Sequence, residues 1–223
     1  MVSSALRGVE TVANLPVSHL YHPNSIQDLK TKILESSDDY VAVDTETNGL
    51  RWVKDRAFGV AFSWDDQQTF IRNTEFGVKE IGQLILDLYK SEKTVVMHNA
   101  LFDLHMIRET YDVQEFPTAI IDTLIVSHLL DTGADHTLKG WGTKVYGSSA
   151  SYWEGLIDEY KKKYKVKSYE MLPPEILDPY AGHDAFLTKQ LAYRFVPQIM
   201  TSYGRLLELE HELIRVILDM EKE

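Results

Sequence analysis

Asp44 and Glu46 stand two residues apart in the run YVAVDTETNGL, close enough for their carboxylates to act together. Tyr40, Val41 and Val43 favour an extended strand with no helical spacing. On a strand, residues two apart project from the same face, about 6.6 Å apart along the backbone. Such a pair can share one divalent cation, and a buried strand rarely carries two acids without a compensating charge. If the strand ends earlier, both are instead solvated in a loop. In VVMHNALFDLHMI, Asn99 and Asp103 lie four apart at a predicted helix start and share a face, which suits either a ligand pair or a plain N-cap with an acid on the helix dipole. In DPYAGHDAFLTKQL, Tyr180 and Asp184 are again four apart, with His183 turned away from Asp184 by about 100°. A phenol and a carboxylate then face one way; the bland alternative is an amphipathic helix with Tyr180 half-buried.

A sheet has to position these groups. The runs FGVAFSW and TFIRN, separated by the polar stretch from Asp65 to Gln68, predict a hairpin that extends the first strand into a meander. Ile81, Leu84, Ile85 and Leu88 recur at helical spacing. Thr94 to His98 predicts a strand, Leu101, Leu104 and Ile107 a helix, Ala119 to Ile121 a last strand, and Asp122 or Thr123 caps the next helix. Hairpin first and βα units after implies an α/β fold: a mixed sheet of about five strands, an antiparallel meander plus parallel strands, surrounded by helices. Residues 133–179 read as less regular, and Tyr180 to Phe195 and Tyr203 to Glu223 read as two helices.

The 223 residues, 44% hydrophobic and 26% charged, suffice for one substantial core. No cysteine is present, so a metal would need oxygen or imidazole ligands. No apolar run approaches the ~20 residues needed to cross a bilayer, and the opening residues lack a secretory layout, so a cytoplasmic protein without a membrane partner is expected. The net charge of −11 disfavours a protein that coats duplex nucleic acid, yet not a nuclease, whose bound cations reverse the sign where phosphate sits.

Taken together, the three acidic segments resemble, in order and context, the motifs of the DEDD superfamily of 3′-to-5′ exonucleases in its tyrosine-bearing branch, and particularly the proofreading domain of family A DNA polymerases. The likeness runs from about Ser18 to the end and includes DTLIVSHLLDTGADHTLKGW. It implies a ribonuclease H-like fold. It also implies that Asp44, Glu46 and Asp184 hold a first metal, with Asp44 also reaching a second that Asp103 holds largely through water. Tyr180 would orient the attacking water, Leu50 would press between terminal bases, and Asn99 would be the polar residue of the second motif. Trp153 is similar in place to a second base-stacking aromatic, with filling the core as the competing role. In the histidine branch the base stands five residues before the last Asp, where this chain has Pro179, so His183 does not take that part.

The implied cofactors are two Mg²⁺ or Mn²⁺ ions, whose spacing of about 3.5 to 4 Å suits hydrolysis of a phosphodiester. The implied substrate is the 3′ end of a single-stranded or frayed DNA, gripped by stacking rather than sequence readout. The alternatives are an RNA-trimming enzyme of the ribonuclease D type and an inactive module that only binds nucleic acid or serves structurally; no carboxylate of the motifs is missing. Residues 1–202 are read as the exonuclease domain. Residues 203–223, with Leu206, Leu209, Leu213, Val216, Ile217 and Met220 in an apolar stripe, resemble the helix leading into a polymerase domain in cis. Lys161, Lys162, Lys163, Lys165 and Lys167 could steer a strand toward the acidic site, or simply solvate a helix end.

Overall fold

The computed structural model describes residues 13–221; residues 1–12, Lys222 and Glu223, which fall within the expected exonuclease unit and closing helix, lie outside the described residues. The expected meander forms from β-rich runs. We label the elements in chain order: β1 (His19–Leu20), α1 (Ile26–Leu34), β2 (Tyr40–Thr47), β3 (Ala57–Trp64), β4 (Gln67–Arg72), α2 (Asn73–Phe76), α3 (Val78–Tyr89), β5 (Thr94–Met97), α4 (Ala100–Tyr111), β6 (Ile120–Asp122), α5 (Thr123–Leu130), α6 (Leu138–Tyr146), α7 (Tyr152–Tyr164) and α8 (Pro174–Met220). Two 3₁₀ turns, Gly147–Ser151 and Tyr169–Met171, join the later helices.

The sheet order is β1-β4-β3-β2-β5-β6. Strands β2, β3 and β4 are antiparallel, while β5 and β6 run parallel to β2. A sixth strand, β1, joins the five expected ones by lying parallel to β4 at the edge. Its two residues carry no periodicity to read. The β3–β4 turn needs only Asp65 and Asp66, and Asp65 takes the left-handed φ of 43° that such tight turns favour; Gln67 and Gln68 already belong to β4.

Alternation along β2 divides the molecule. Val41 and Val43, with Val60, Phe62, Val95 and Met97, pack on one face against α1, α3 and α4 through Leu29, Ile33, Leu84, Ile85 and Leu104. Ala42, Ala61, Val96 and Ile121 pack on the other against α6 and α8 through Trp141, Val145, Leu177, Ala181 and Ala185. By the same parity Asp44 and Glu46 belong to the second face, under α8.

The expected helix at Tyr180 begins earlier, at Pro174, where a first-turn proline is well accommodated. Pro179 lies inside it. The hydrogen bond it forfeits is offset by burial of Leu177 and Ala181 on the sheet. At Tyr203, φ of −137° and ψ of 20° interrupt the helical path, so α8 is two helices meeting at a kink. Residues 133–179, expected to be less regular, hold α6 and α7, both capped or closed at their glycine and lysine ends. No helix among the described residues is long and apolar enough to cross a membrane.

Candidate active site

Strand β2 runs through to Thr47, so Asp44 and Glu46 are both strand residues, and the solvated-loop alternative does not hold. Opposite Glu46 on β3 is Gly59, where an added Cβ would sit 2.3 Å from the Phe70 ring and 2.7 Å from the Ile71 carbonyl oxygen. Only glycine lets the hairpin close this tightly. Burial pushes the Asp44 carboxyl up to about 7, against the opposing pull of Lys139. Glu46 is raised to about 8, first by burial and then by Asp44, again opposed by Lys139. Two acids that resist ionising near neutral pH mark a pocket short of positive charge.

Helix α8 supplies the other wall. Tyr180 and Asp184 sit one turn apart on it, and the Lys139 ammonium, from the first turn of α6, is ion-paired with Asp184 Oδ1. The same ammonium lies 5.0 Å from the Tyr180 ring centroid. Burial, followed by the charges of Glu46, Tyr169 and Asp44, pushes the Tyr180 phenol far up, so it remains a hydrogen-bond donor. Lys139 is lowered to about 8 by burial and held from falling further by Glu154, Asp44 and Glu46. Lys139 thus contacts Asp184 and the face of Tyr180, and its charge acts through space on Asp44 and Glu46.

Asp103 is placed differently. It is 3% exposed in the first turn of α4 and accepts hydrogen bonds from Thr45 N at 3.1 Å and Thr45 Oγ1 at 2.5 Å. Burial, then the charge of Asp44, raises its carboxyl well above the usual range. It thus neighbours Asp44 and is hydrogen-bonded to Thr45. Among the described residues no group of three or more His, Asp or Glu side chains is drawn tightly enough together to clasp a metal ion. The donor set itself is all carboxylate oxygen, with Asp184 already facing a cation, and fits a hard divalent ion.

Asn99 is exposed, in a left-handed conformation with φ of 72°, and its side chain caps nothing. The expected cap role falls to Asp122, whose carboxylate accepts from Asn99 N at 3.0 Å, Ala100 N at 2.8 Å and Leu124 N at 2.8 Å. Asp122 thereby caps α4 and, as expected, α5. Leu50 is 82% exposed on the turn after β2. That turn is braced by Asp55 Oδ2 on Arg51 N at 2.8 Å and by Asn48 Oδ1 on Arg56 N at 2.9 Å. Trp153 is half-buried at the start of α7, edge-on to Tyr152, and belongs to neither core, so the core-filling alternative is set aside. His183 is buried and held down to about 4 by burial and by Lys139.

Sequence reasoning missed Lys139, Glu154 and Tyr169. The Tyr169 ring is 5.6 Å from that of Tyr180, and Lys161 Nζ stands 4.1 Å over it, which ties the lysine-rich end of α7 to the site. The one available signal was Thr137, a helix N-cap that sets Lys139 in the following turn.

Residues 21–200 match the protein family described as 3′-5′ exonuclease, DNA polymerase A type. The chain is 31% identical over 175 residues to a DNA polymerase of Escherichia phage T5, matching 71% of this chain and 20% of that protein. It is 28% identical over 163 residues to DNA polymerase DpoZ of Salmonella phage PMBT28, matching 68% and 25%. The chain thus spans a quarter or less of these relatives' length. Among solved structures, Brucella melitensis NrnC bound to pGG superposes with a TM-score of 0.63 at 20% identity, covering 94% of both chains. The same protein with bound Mg²⁺ gives 0.62 at 19%, covering 92% of both. Escherichia coli RNase D, an exoribonuclease involved in structured RNA processing, gives 0.61 at 15%, covering 91% of this chain and 51% of that one. These likenesses establish the ribonuclease H-like fold.

Proposed function

Because the chain belongs to the 3′-5′ exonuclease family of A-type DNA polymerases, we propose that it removes nucleotides from single-stranded or frayed DNA 3′ ends by metal-dependent hydrolysis, as a proofreading domain. The observation that supports this reading is the Lys139 ammonium, which pairs with Asp184 and faces the Tyr180 ring from α8 while its charge acts through space on Asp44 and Glu46 of β2. Asp44, Glu46 and Asp184 would hold a first Mg²⁺ or Mn²⁺ and Asp44 with Asp103 a second. When bound, such ions make a nucleophile available near neutral pH and stabilise charge on the phosphate. Tyr180 keeps its proton and donates a hydrogen bond to the attacking water, while Glu46 accepts one and fixes its orientation. Leu50, exposed on its braced turn, presses against the terminal bases. Asn99 and Trp153 flank the incoming strand, and the lysines of α7 draw phosphates toward Tyr169.

The DNA assignment draws on the phage polymerases among the relatives. RNA trimming is the second reading, favoured by fold neighbours that include an exoribonuclease. We further assign residues 1–202 to the nuclease and the helix from residue 203 to a connection with a polymerase domain. The exposed Leu206, Leu209, Leu213 and Val216 on that helix support a covering partner in cis.

An end-labelled single-stranded DNA oligomer and its RNA counterpart test the proposal. With Mg²⁺ the DNA should shorten one nucleotide at a time from its 3′ end, and EDTA should stop it. Faster shortening of the RNA would transfer the assignment to the second reading; no shortening of either would remove both.

A further inference from the structure

Lys139 enters the site from α6, whose start is pinned by Thr137 Oγ1 accepting from Gly140 N at 3.1 Å. Its side chain is only 15% exposed. An ammonium so withdrawn from water needs anionic partners, and this one has Asp184 in direct contact, the Tyr180 ring at 5.0 Å, and Asp44, Glu46 and Glu154 acting on it through space. Asp184 is also the side chain assigned above to a divalent ion. An oxygen engaged by an ammonium is not open to a hard cation, which demands close, directed oxygen ligands. The lysine stem is long and flexible enough to yield the position.

We infer that Lys139 is a built-in competitor for the metal: its ammonium and a divalent cation take the Asp184 carboxylate by turns, and the exchange sets the metal concentration at which the site loads. The inference rests on the reading of Asp184 as a metal ligand. It gives Lys139 a positioning part in the reaction, acting through Asp184 rather than on the substrate.

The test uses the intact chain, with Mn²⁺ binding followed by calorimetry and melting followed in EDTA and in saturating Mn²⁺. Lys139→Met keeps the length of the stem and deletes the charge. It should bind Mn²⁺ about tenfold more tightly, about 1.4 kcal/mol, and should melt below wild type in EDTA with the gap narrowing in Mn²⁺. A lysine with a merely structural part would lower both melting points alike and leave affinity unchanged or weaker, and that result overturns the inference. Should Lys139→Met fail to fold, Lys139→Arg decides, because a guanidinium grips a carboxylate with two parallel bonds. Its Mn²⁺ affinity should fall several-fold; unchanged affinity rejects the competition. If neither wild type nor variant binds Mn²⁺, the metal reading of the site fails and takes this inference with it.

Discussion

At Asp44 and Glu46, burial works against charge, and the direction fixes a pH test. Folding raises both acids above their unfolded values, so the stability they contribute is complete at low pH and is lost as pH rises through about 7 and about 8. In EDTA the melting temperature should therefore fall between pH 7 and pH 8. Mg²⁺ favours the ionised carboxylates and should abolish that fall. A melting point in EDTA that climbs over this interval would contradict the buried-acid picture. In the DNA-shortening assay, Asp44→Ala should lower turnover by at least about 100-fold, while Tyr180→Phe, which forfeits one water-orienting bond, should lower it by less. Equal losses would mean that the phenol does more than orient. Asp44 and Glu46 were legible in the sequence because a strand's alternation needs no distant information. Asp103, Tyr180 and Asp184 could be reached only through the order and spacing of the motifs. Lys139 and Tyr169 were invisible, since an isolated Lys or Tyr acquires meaning only when a remote segment folds beside it.

Elements were read best where periodicity ran long, as at Ile81 to Leu88, and worst where tertiary contacts overruled local rules. Asn99 has the right composition for an N-cap, yet Asp122, 23 residues away, satisfies the first amides of α4 instead and leaves Asn99 to adopt a left-handed turn. The helix expected from Tyr180 begins at Pro174 and carries Pro179 in its interior, because packing of Leu177 and Ala181 against Ala42 and Ala61 on the sheet outweighs one missing hydrogen bond. The Asp122 arrangement predicts that Asp122→Ala, which uncaps α4 and α5 together, destabilises the fold by about 2 kcal/mol. Urea denaturation measures this directly. A change below about 0.5 kcal/mol would show that the caps are redundant.

Across the whole molecule, buried histidines oppose acid. His98, His183 and His211 are each lowered to about 4 by burial. Their folded values lie below the unfolded one, so the stability they contribute is present above about pH 6.5 and is lost as pH falls through about 4. In Mg²⁺ the chain should lose about 1.4 kcal/mol per pH unit per histidine within that window. His211→Gln, which can still accept the Asp122 amide now bonded to His211 Nε2 at 3.0 Å, should flatten the decline. An unaltered slope would assign the acid sensitivity elsewhere. That last contact joins the late helix to the same aspartate that caps α4, the helix bearing Asp103, and α5. A random loss-of-function screen would therefore score Asp122 as though it were part of the reaction centre, although its carboxylate bonds backbone amides at the helix starts, and only a folding assay run beside the enzymatic one would separate the two kinds of defect.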